Sequence, residues 1–193
     1  MNRRTDHDVR VRHISESDWA GITALEAHVY GAHGLSEGRD ALRSRAHASP
    51  GTCFVLDRAG RTAGYLLALP YPRLAYPDLD RPEDIVFHSR NLHLHDLVIA
   101  EEFRGRGLAG KMLRHFTATA GAKGYEGISL IAVMDSDTFW SANGYRAHRD
   151  VEPPPGYGPG SVYMSRTVPD HRTGRPNSAT GPSLGAPLED EVG

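Results

Sequence analysis

Two histidines in the string His93-Leu94-His95 and a glycine-rich run, Arg104-Gly105-Arg106-Gly107-Leu108-Ala109-Gly110, are the parts of this chain best suited to chemistry. A histidine titrating near neutral pH can take a proton from an alkylammonium group, directly or through water. Side chains alternate along an extended strand, so His93 and His95 share one face. His-x-His also offers half a metal site, but no third ligand accompanies it and no metal is expected. The blander reading is a pair of polar strand residues beside an open slot. Asp96 points to the opposite face unless a bulge rotates it.

The glycine-rich run stands between a strand-like segment and an amphipathic helix. Glycines let the backbone come close to a ligand and take conformations a Cβ forbids. The first turn of a helix presents unpaired N–H groups and a partial positive charge, which suits a diphosphate. Arg104 and Arg106 add cations at an end where the dipole alone disfavours them, so an anion is expected between them. The same residues also read as a tight turn with solvated arginines. Gly105 to Gly110 fits the G-x-G-x-x-G order of dinucleotide sites formally. However, no βαβ repeat surrounds it, and the first acid after the next strand, Asp135, comes too late to bind a ribose.

The elements that must position these residues follow from hydrophobic period and turn chemistry. A strand is expected over residues 9–14. A helix capped at Ser17 or Asp18 runs through Val29, breaks at Gly31 to Gly34, and is followed by a second helix over 36–48. Strands 52–57 and 62–69 form a hairpin about Arg58-Ala59-Gly60-Arg61. Residues 70–90 form a long proline-containing loop, a length that implies function or mobility. Tyr71, Tyr76 and Asp78-Leu79-Asp80 in it either shape a pocket for a cation or are simply solvated. A strand over 92–99 leads into the glycine run and a helix over 104–123, striped by Leu108, Met112, Phe116 and Ala120. Residues 128–134 read as an apolar strand covered on both faces. A short helix through Trp140, ended by Gly144, and strands 145–149 and 161–167 complete the pattern.

Taken together, the chain resembles the GNAT superfamily of acyl-CoA N-acyltransferases. The turn matches the signature Arg/Gln-x-x-Gly-x-Gly/Ala through Arg104, Gly107 and Ala109. Leu97 to Phe103 is similar to that family's bulged strand, and Phe139 to Tyr145 to its aromatic-x-x-x-Gly-Phe segment. The resemblance spans roughly residues 9–168. It implies an α/β fold with a mixed central sheet, a splayed and β-bulged strand pair, and flanking helices. It further implies that main-chain groups of Leu97, Val98 and Ile99 bind the pantetheine arm. Arg104, Gly105, Arg106, Gly107, Leu108, Ala109 and Gly110 would hold the pyrophosphate of acetyl-CoA. His93-Leu94-His95 is similar to the strand of the arylalkylamine N-acetyltransferases, in which two histidines help to deprotonate the amine; the resemblance implies His93 as the base, by its distance from Ile99, with His95 beside it. The general-acid tyrosine of many members falls at Trp140, with Ser136, Tyr145, Tyr157 and Tyr163 as replacements. The expected activity is transfer of an acetyl group to a primary amine of a small molecule. The alternatives are a protein N-terminal or lysine acetyltransferase, or a non-catalytic acyl-CoA sensor.

The bulk numbers narrow the field further. A length of 193 residues suits one domain, expected over 1–169, with a disordered tail over 170–193 poor in large apolar residues. A net charge of −2 argues against nucleic acid or an anionic membrane as partner. The single cysteine, Cys53, sits in an apolar strand and reads as core. No apolar leader or membrane-length run occurs, so the cytoplasm is expected. A homodimer is compatible with the sequence.

Overall fold

The computed structural model describes residues 9–169. The expected tail over 170–193 and residues 1–8 lie outside the described residues. The element order is β1 (Val9–His13), α1 (Trp19–Tyr30), α2 (Arg39–Ala48), β2 (Phe54–Arg58), β3 (Arg61–Pro70), β4 (Asn91–Ile99), α3 (Leu108–Ala122), β5 (Gly127–Ala132), α4 (Asp137–Ala142), β6 (Arg146–Ala147) and β7 (Val162–Thr167). The strands form one mixed sheet in the order β1-β2-β3-β4-β5-β7-β6. Neighbours are antiparallel except β4 and β5, which are parallel.

Each face of the sheet carries its own apolar cluster because strand side chains alternate. On one face Trp19 and Ile22 of α1 and Leu42 and Ala46 of α2 pack on Val55, Tyr65, Leu67 and Val98. On the other, Leu108, Met112, Phe116 and Ala120 of α3 pack with Leu66, Leu94, Ile128 and Leu130. These four α3 residues recur every fourth position, so one stripe of the helix is buried and the rest is free to be polar. The β2–β3 hairpin turns on Ala59 and Gly60, both left-handed at φ 51° and 82°, a two-residue loop whose twist matches the strands.

Two boundaries differ from expectation for reasons of backbone conformation. The third helix begins at Leu108 rather than Arg104, because Gly105 and Gly107 are left-handed at φ 71° and 73° and make the turn that precedes it. β5 stops at Ala132 because Met134 and Asp135 are also left-handed, at φ 53° and 56°. Its apolar run is broken by Ser129, fully buried yet bonded to Asn91 Nδ2 at 2.9 Å and to His93 Nδ1 at 3.3 Å. That hydroxyl fastens the parallel pair at its beginning. Cys53 is core, as expected: its thiol meets the Ala68 carbonyl at 3.3 Å, and burial pushes its pKa up to about 12.

Candidate active site

The parallel strands β4 and β5 pair only at Asn91 with Gly127, Leu92 with Ile128 and His93 with Ser129, and then separate. On its other side β4 stays paired with β3 as far as Ile99. The β3–β4 register slips between Leu67, opposite Asp96, and Ala68, opposite Leu94. His95 is therefore the extra residue of a β-bulge. The bulge shifts the alternation by one. Leu94 and Leu97 both face the α3 cluster, while Asp96 turns toward α1 and β3 and accepts the hydroxyls of Tyr30 at 2.7 Å and of Tyr65. The rotation of Asp96 that the sequence left conditional on a bulge is what the structure shows. Burial raises the Asp96 carboxyl to about 6, against the pull of His95 and the two phenols.

Where the strands part, a cavity of about 260 Å³ opens between them. Leu94, His95, Asp96 and Leu97 form one wall, and Leu130, Ile131 and Val133 the other. Glu37, Leu79 and Tyr157 close one end; Met134, Phe139 and Trp140 stand at the other side of the slot. His93 is not part of its lining.

The two strand histidines lie on one side, with ring centroids 6.2 Å apart, but their surroundings differ. His93 is buried where β4 and β5 are still paired, bonded to Ser129 and near Tyr71. Burial, then the neighbouring His95 and Arg45, hold its pKa well below the usual histidine value, so it stays neutral. His95 sits two residues beyond the last paired position. Its Nε2 lies 2.5 Å from Glu37 Oε1, a separation two acceptors cannot share. Burial pushes the Glu37 carboxyl up, but His95 and Arg45 together outweigh it and leave it below the usual range. Glu37 is therefore ionised, and the proton on this contact belongs to His95 Nε2. Arg45 Nε also lies 2.9 Å from that nitrogen; with the nitrogen already a donor, the Arg45 N–H goes to Glu37 Oε2 at 3.0 Å instead. His95 Nδ1 is left with its lone pair, buried and without a partner among the described residues.

Arg45 organises the rest of this end. It is fully buried and also donates to Glu83 Oε1 at 2.8 Å and to the Asp78 carbonyl at 2.8 Å. These contacts hold the long segment between β3 and β4 against α2. Tyr157 adds a hydrogen bond from its hydroxyl to the Pro77 carbonyl at 2.7 Å, and the Leu74 N–H donates to the Tyr163 hydroxyl at 2.9 Å. The loop expected to be functional or mobile is tied down at both flanks of Leu79, the loop residue that reaches the cavity. Neither Glu37 nor Arg45 was legible as a site residue: Ser36-Glu37-Gly38 reads as the start of a helix, and Arg45 as one arginine of its exposed face.

At the far end of β4 the main chain is arranged for a ligand. Alternate residues of an antiparallel ladder turn their N–H and C=O toward the partner. Ala100 N–H donates to the Ala63 carbonyl at 3.0 Å, so Val98 also faces β3 while Leu97 and Ile99 face the slot. Of the three residues expected to offer main-chain groups, Leu97 and Ile99 are so placed and Val98 is not; its side chain lies in the core. The Ile99 carbonyl accepts Arg104 Nε at 3.1 Å, which pins the arginine across the strand end. Gly107 is the N-cap of α3 and carries no side chain to satisfy the first turn. The N–H groups of Leu108, Ala109 and Gly110 thus point out of the helix start. Arg106 folds back to the Glu102 carbonyl at 3.0 Å and over the Phe103 ring. A Cβ built on Gly105 or Gly107 meets no atom within 4 Å, so there is open room at the turn. A free strand edge, a cradle of N–H groups and two arginines fit a pantetheine arm and its pyrophosphate.

Trp140 fills the position of the expected acid, stacked edge-on against Phe139 and Tyr145 at 5.0 and 5.3 Å. Of its replacements, Ser136 and Tyr157 line the cavity, but both hydroxyls are bonded to carbonyls, Ser136 to Val133 at 2.7 Å. The Tyr145 hydroxyl is buried without a partner among the described residues, and burial raises its pKa. No group of three metal-ligating side chains occurs among the described residues, and no helix among them is long and apolar enough to cross a membrane.

The acetyltransferase (GNAT) family matches residues 19–146 of the chain. Among curated proteins none matches the sequence. Among solved structures, Ard1 from Thermoplasma volcanium superposes with a TM-score of 0.64 at 15% identity, over 84% of this chain and 99% of that one. The GphF GNAT-like decarboxylase in complex with isobutyryl-CoA gives 0.66 at 18% identity, over 83% of this chain and all of that one (100%). N-acetylglutamate synthase from Neisseria gonorrhoeae, complexed with coenzyme A and N-acetyl-glutamate, gives 0.64 at 14% identity, over 83% of this chain and 35% of that one. At such identities the likeness is one of fold.

Proposed function

The chain belongs to the GNAT acetyltransferase family, and from that premise we propose that it transfers an acetyl group from acetyl-CoA to a primary amine of a small molecule. The observation that carries this reading is the orphaned Nδ1 of His95 on the wall of the slot, with Nε2 locked to Glu37. A bound acyl-CoA supplies a thioester whose carbonyl carbon passes to the amine while the thiolate departs.

The chain's own residues do the remainder. Leu97 and Ile99 align the pantetheine arm along β4, and the turn from Arg104 to Gly110 holds the pyrophosphate. Glu37 fixes the His95 tautomer and stabilises the imidazolium once formed, and Arg45 fixes Glu37. His95 Nδ1 takes the proton from the incoming ammonium, directly or through a water. His93, the base favoured by sequence distance, is neutral and set back, and supports the ring of His95 from the paired part of the strand. The tied-down segment containing Leu79 closes the acceptor end, which favours a small acceptor over a protein chain lying through an open groove. With every cavity hydroxyl bonded to protein, the leaving thiolate is protonated by solvent.

A thiol-release assay with acetyl-CoA and a panel of primary amines tests this. His95→Ala is expected to lower kcat/KM by about 10²–10⁴-fold, the usual cost of losing a general base, with coenzyme A affinity unchanged. His93→Ala is expected to cost less than His95→Ala. Binding of acetyl-CoA with no thiol release from any amine would leave a non-catalytic acyl-CoA binder.

A further inference from the structure

The acceptor end of the cavity has a definite sign of charge. Among the described residues no lysine or arginine lines it, whereas Glu37 and Asp96 do. The nearest guanidinium, Arg45, is fully buried and committed to Glu37, to Glu83 at 2.8 Å and to the Asp78 carbonyl at 2.8 Å. The phenolic donors are committed as well: Tyr30 donates to Asp96 at 2.7 Å and Tyr157 to the Pro77 carbonyl at 2.7 Å. A carboxylate carried in by the acceptor would meet two acidic groups and no cationic side chain free to pair with it, which is costly beside buried carboxylates. An ammonium meets the opposite situation. The remaining wall is apolar, from Val29, Leu35, Leu79 and Leu94.

We propose that the acceptor is a compact amine with a single positive charge, an apolar body and no carboxylate, and that Leu79 sets the length of that body. This rests on the acetyl-transfer reading above. The volume of about 260 Å³ has to hold the acyl end of the donor as well as the amine, so only a short body fits. Leu79 is the residue of the long loop on the wall, and its position is fixed on one side by the Arg45 bond to Asp78 and the Tyr157 bond to Pro77, and on the other by the contacts of Glu83 with Arg45 and Ser44. Free amino acids and peptides ending in a carboxylate close to the amine are excluded by charge, and large amines by length.

The experiment compares three acceptors of one skeleton with the full chain and acetyl-CoA: isoamylamine, leucine and leucinamide. Isoamylamine is expected to exceed leucine in kcat/KM by more than about 100-fold, as a like-charge clash beside buried carboxylates requires. Leucinamide, which keeps the bulk and loses the charge, is expected to recover at least about 10-fold over leucine. Leucine used as well as isoamylamine would overturn the proposal while leaving acetyl transfer standing. Leucinamide no better than leucine would assign the discrimination to size and overturn the charge argument. Leu79→Ala is expected to raise the ratio of octylamine to isoamylamine turnover by about 10-fold or more; an unchanged ratio removes Leu79 from specificity. Acetyl-CoA binding without turnover of any amine would instead overturn the acetyl-transfer reading, and this inference with it.

Discussion

Glu37→Gln is the sharpest test of the His95 arrangement because it keeps the volume and removes only the charge. In the native site an ionised carboxylate 2.5 Å from His95 Nε2 dictates where the ring proton sits. A glutamine can present either its oxygen or its NH₂ to that nitrogen; the second choice turns Nε2 into an acceptor and moves the ring proton to Nδ1. The base is then lost without any change of position. Loss of such an orienting carboxylate costs up to about 10⁴-fold in kcat, and loss of a general base about 10²–10⁴-fold. A fall of 10²–10⁴ in kcat/KM is thus expected, or about 2.7–5.5 kcal/mol of transition-state stabilisation. The effect on folding is smaller. Breaking a buried ion pair costs about 3–5 kcal/mol when it leaves a charge unpaired. Here Arg45 retains Glu83 at 2.8 Å and the Asp78 carbonyl, so about 1–2 kcal/mol is expected. The two losses separate by measuring thiol release against pH alongside urea unfolding and calorimetric titration with coenzyme A. The depressed Glu37 carboxyl also sets a sign: its stabilisation is present above the unfolded value of about 4.3 and lost as pH falls through the lower folded value. Glu37→Gln should remove that acid-side loss. A variant with native kcat/KM and a native pH profile would refute the argument that Glu37 sets the His95 tautomer.

Other variants test other contacts. Gly107→Val forces a β-branched residue into φ 73°, at a cost of about 1–2 kcal/mol, and places its side chain where the pyrophosphate is held; calorimetry should show coenzyme A affinity down by about 10-fold or more. Asp96, raised by burial to about 6 from an unfolded value of about 3.9, favours the fold most below the unfolded value, and that contribution is lost as pH rises through 6. Asp96→Asn should flatten this decline, read as melting temperature between about pH 4 and pH 7. Asp18 is held down to about 2, foremost by Arg12, which grips it at 2.6 and 2.7 Å against the opposing effect of burial. Asp18→Ala should destabilise the domain by about 1–2 kcal/mol at neutral pH, with the difference shrinking in acid as the native carboxylate is protonated toward pH 2.

The parts of this molecule that were legible in the sequence are those whose cause is local. The hairpin at Ala59-Gly60, the α3 stripe and the glycine turn each follow from residues within a few positions of one another. The shared side of His93 and His95 is of the same kind. Their unequal surroundings are not: they depend on where β4 and β5 stop pairing, set by strands more than 30 residues apart in sequence. Ser129 belongs to that junction, which is why a hydroxyl interrupts an otherwise apolar strand. Glu37 and Arg45 reach His95 from 58 and 50 residues away, and neither carries a local mark of it. Val98 belongs to the segment the sequence singled out, but which residues of a strand turn their amides away from the ladder depends on the pairing on the other side.

His95 occupies the one place along β4 where the sheet asks nothing of the residue. Its neighbours Leu94 and Asp96 have partners across the strand and packing on either face, so their identities are constrained by folding. The inserted position has no partner in β3 and lies beyond the reach of β5. Its side chain can therefore be exchanged with little consequence for the register of the strands around it. In evolutionary terms the position is a free variable: a lineage can replace the imidazole by an acid, an amide or a small residue, and so change or abandon a reaction, without first having to solve the folding problem again. Deletion of the residue would remove the bulge itself. Leu94 and Asp96, already on opposite faces and opposite consecutive residues of β3, would become neighbours in an unbroken ladder, and the lineage that suffered it would lose the reaction while keeping the domain.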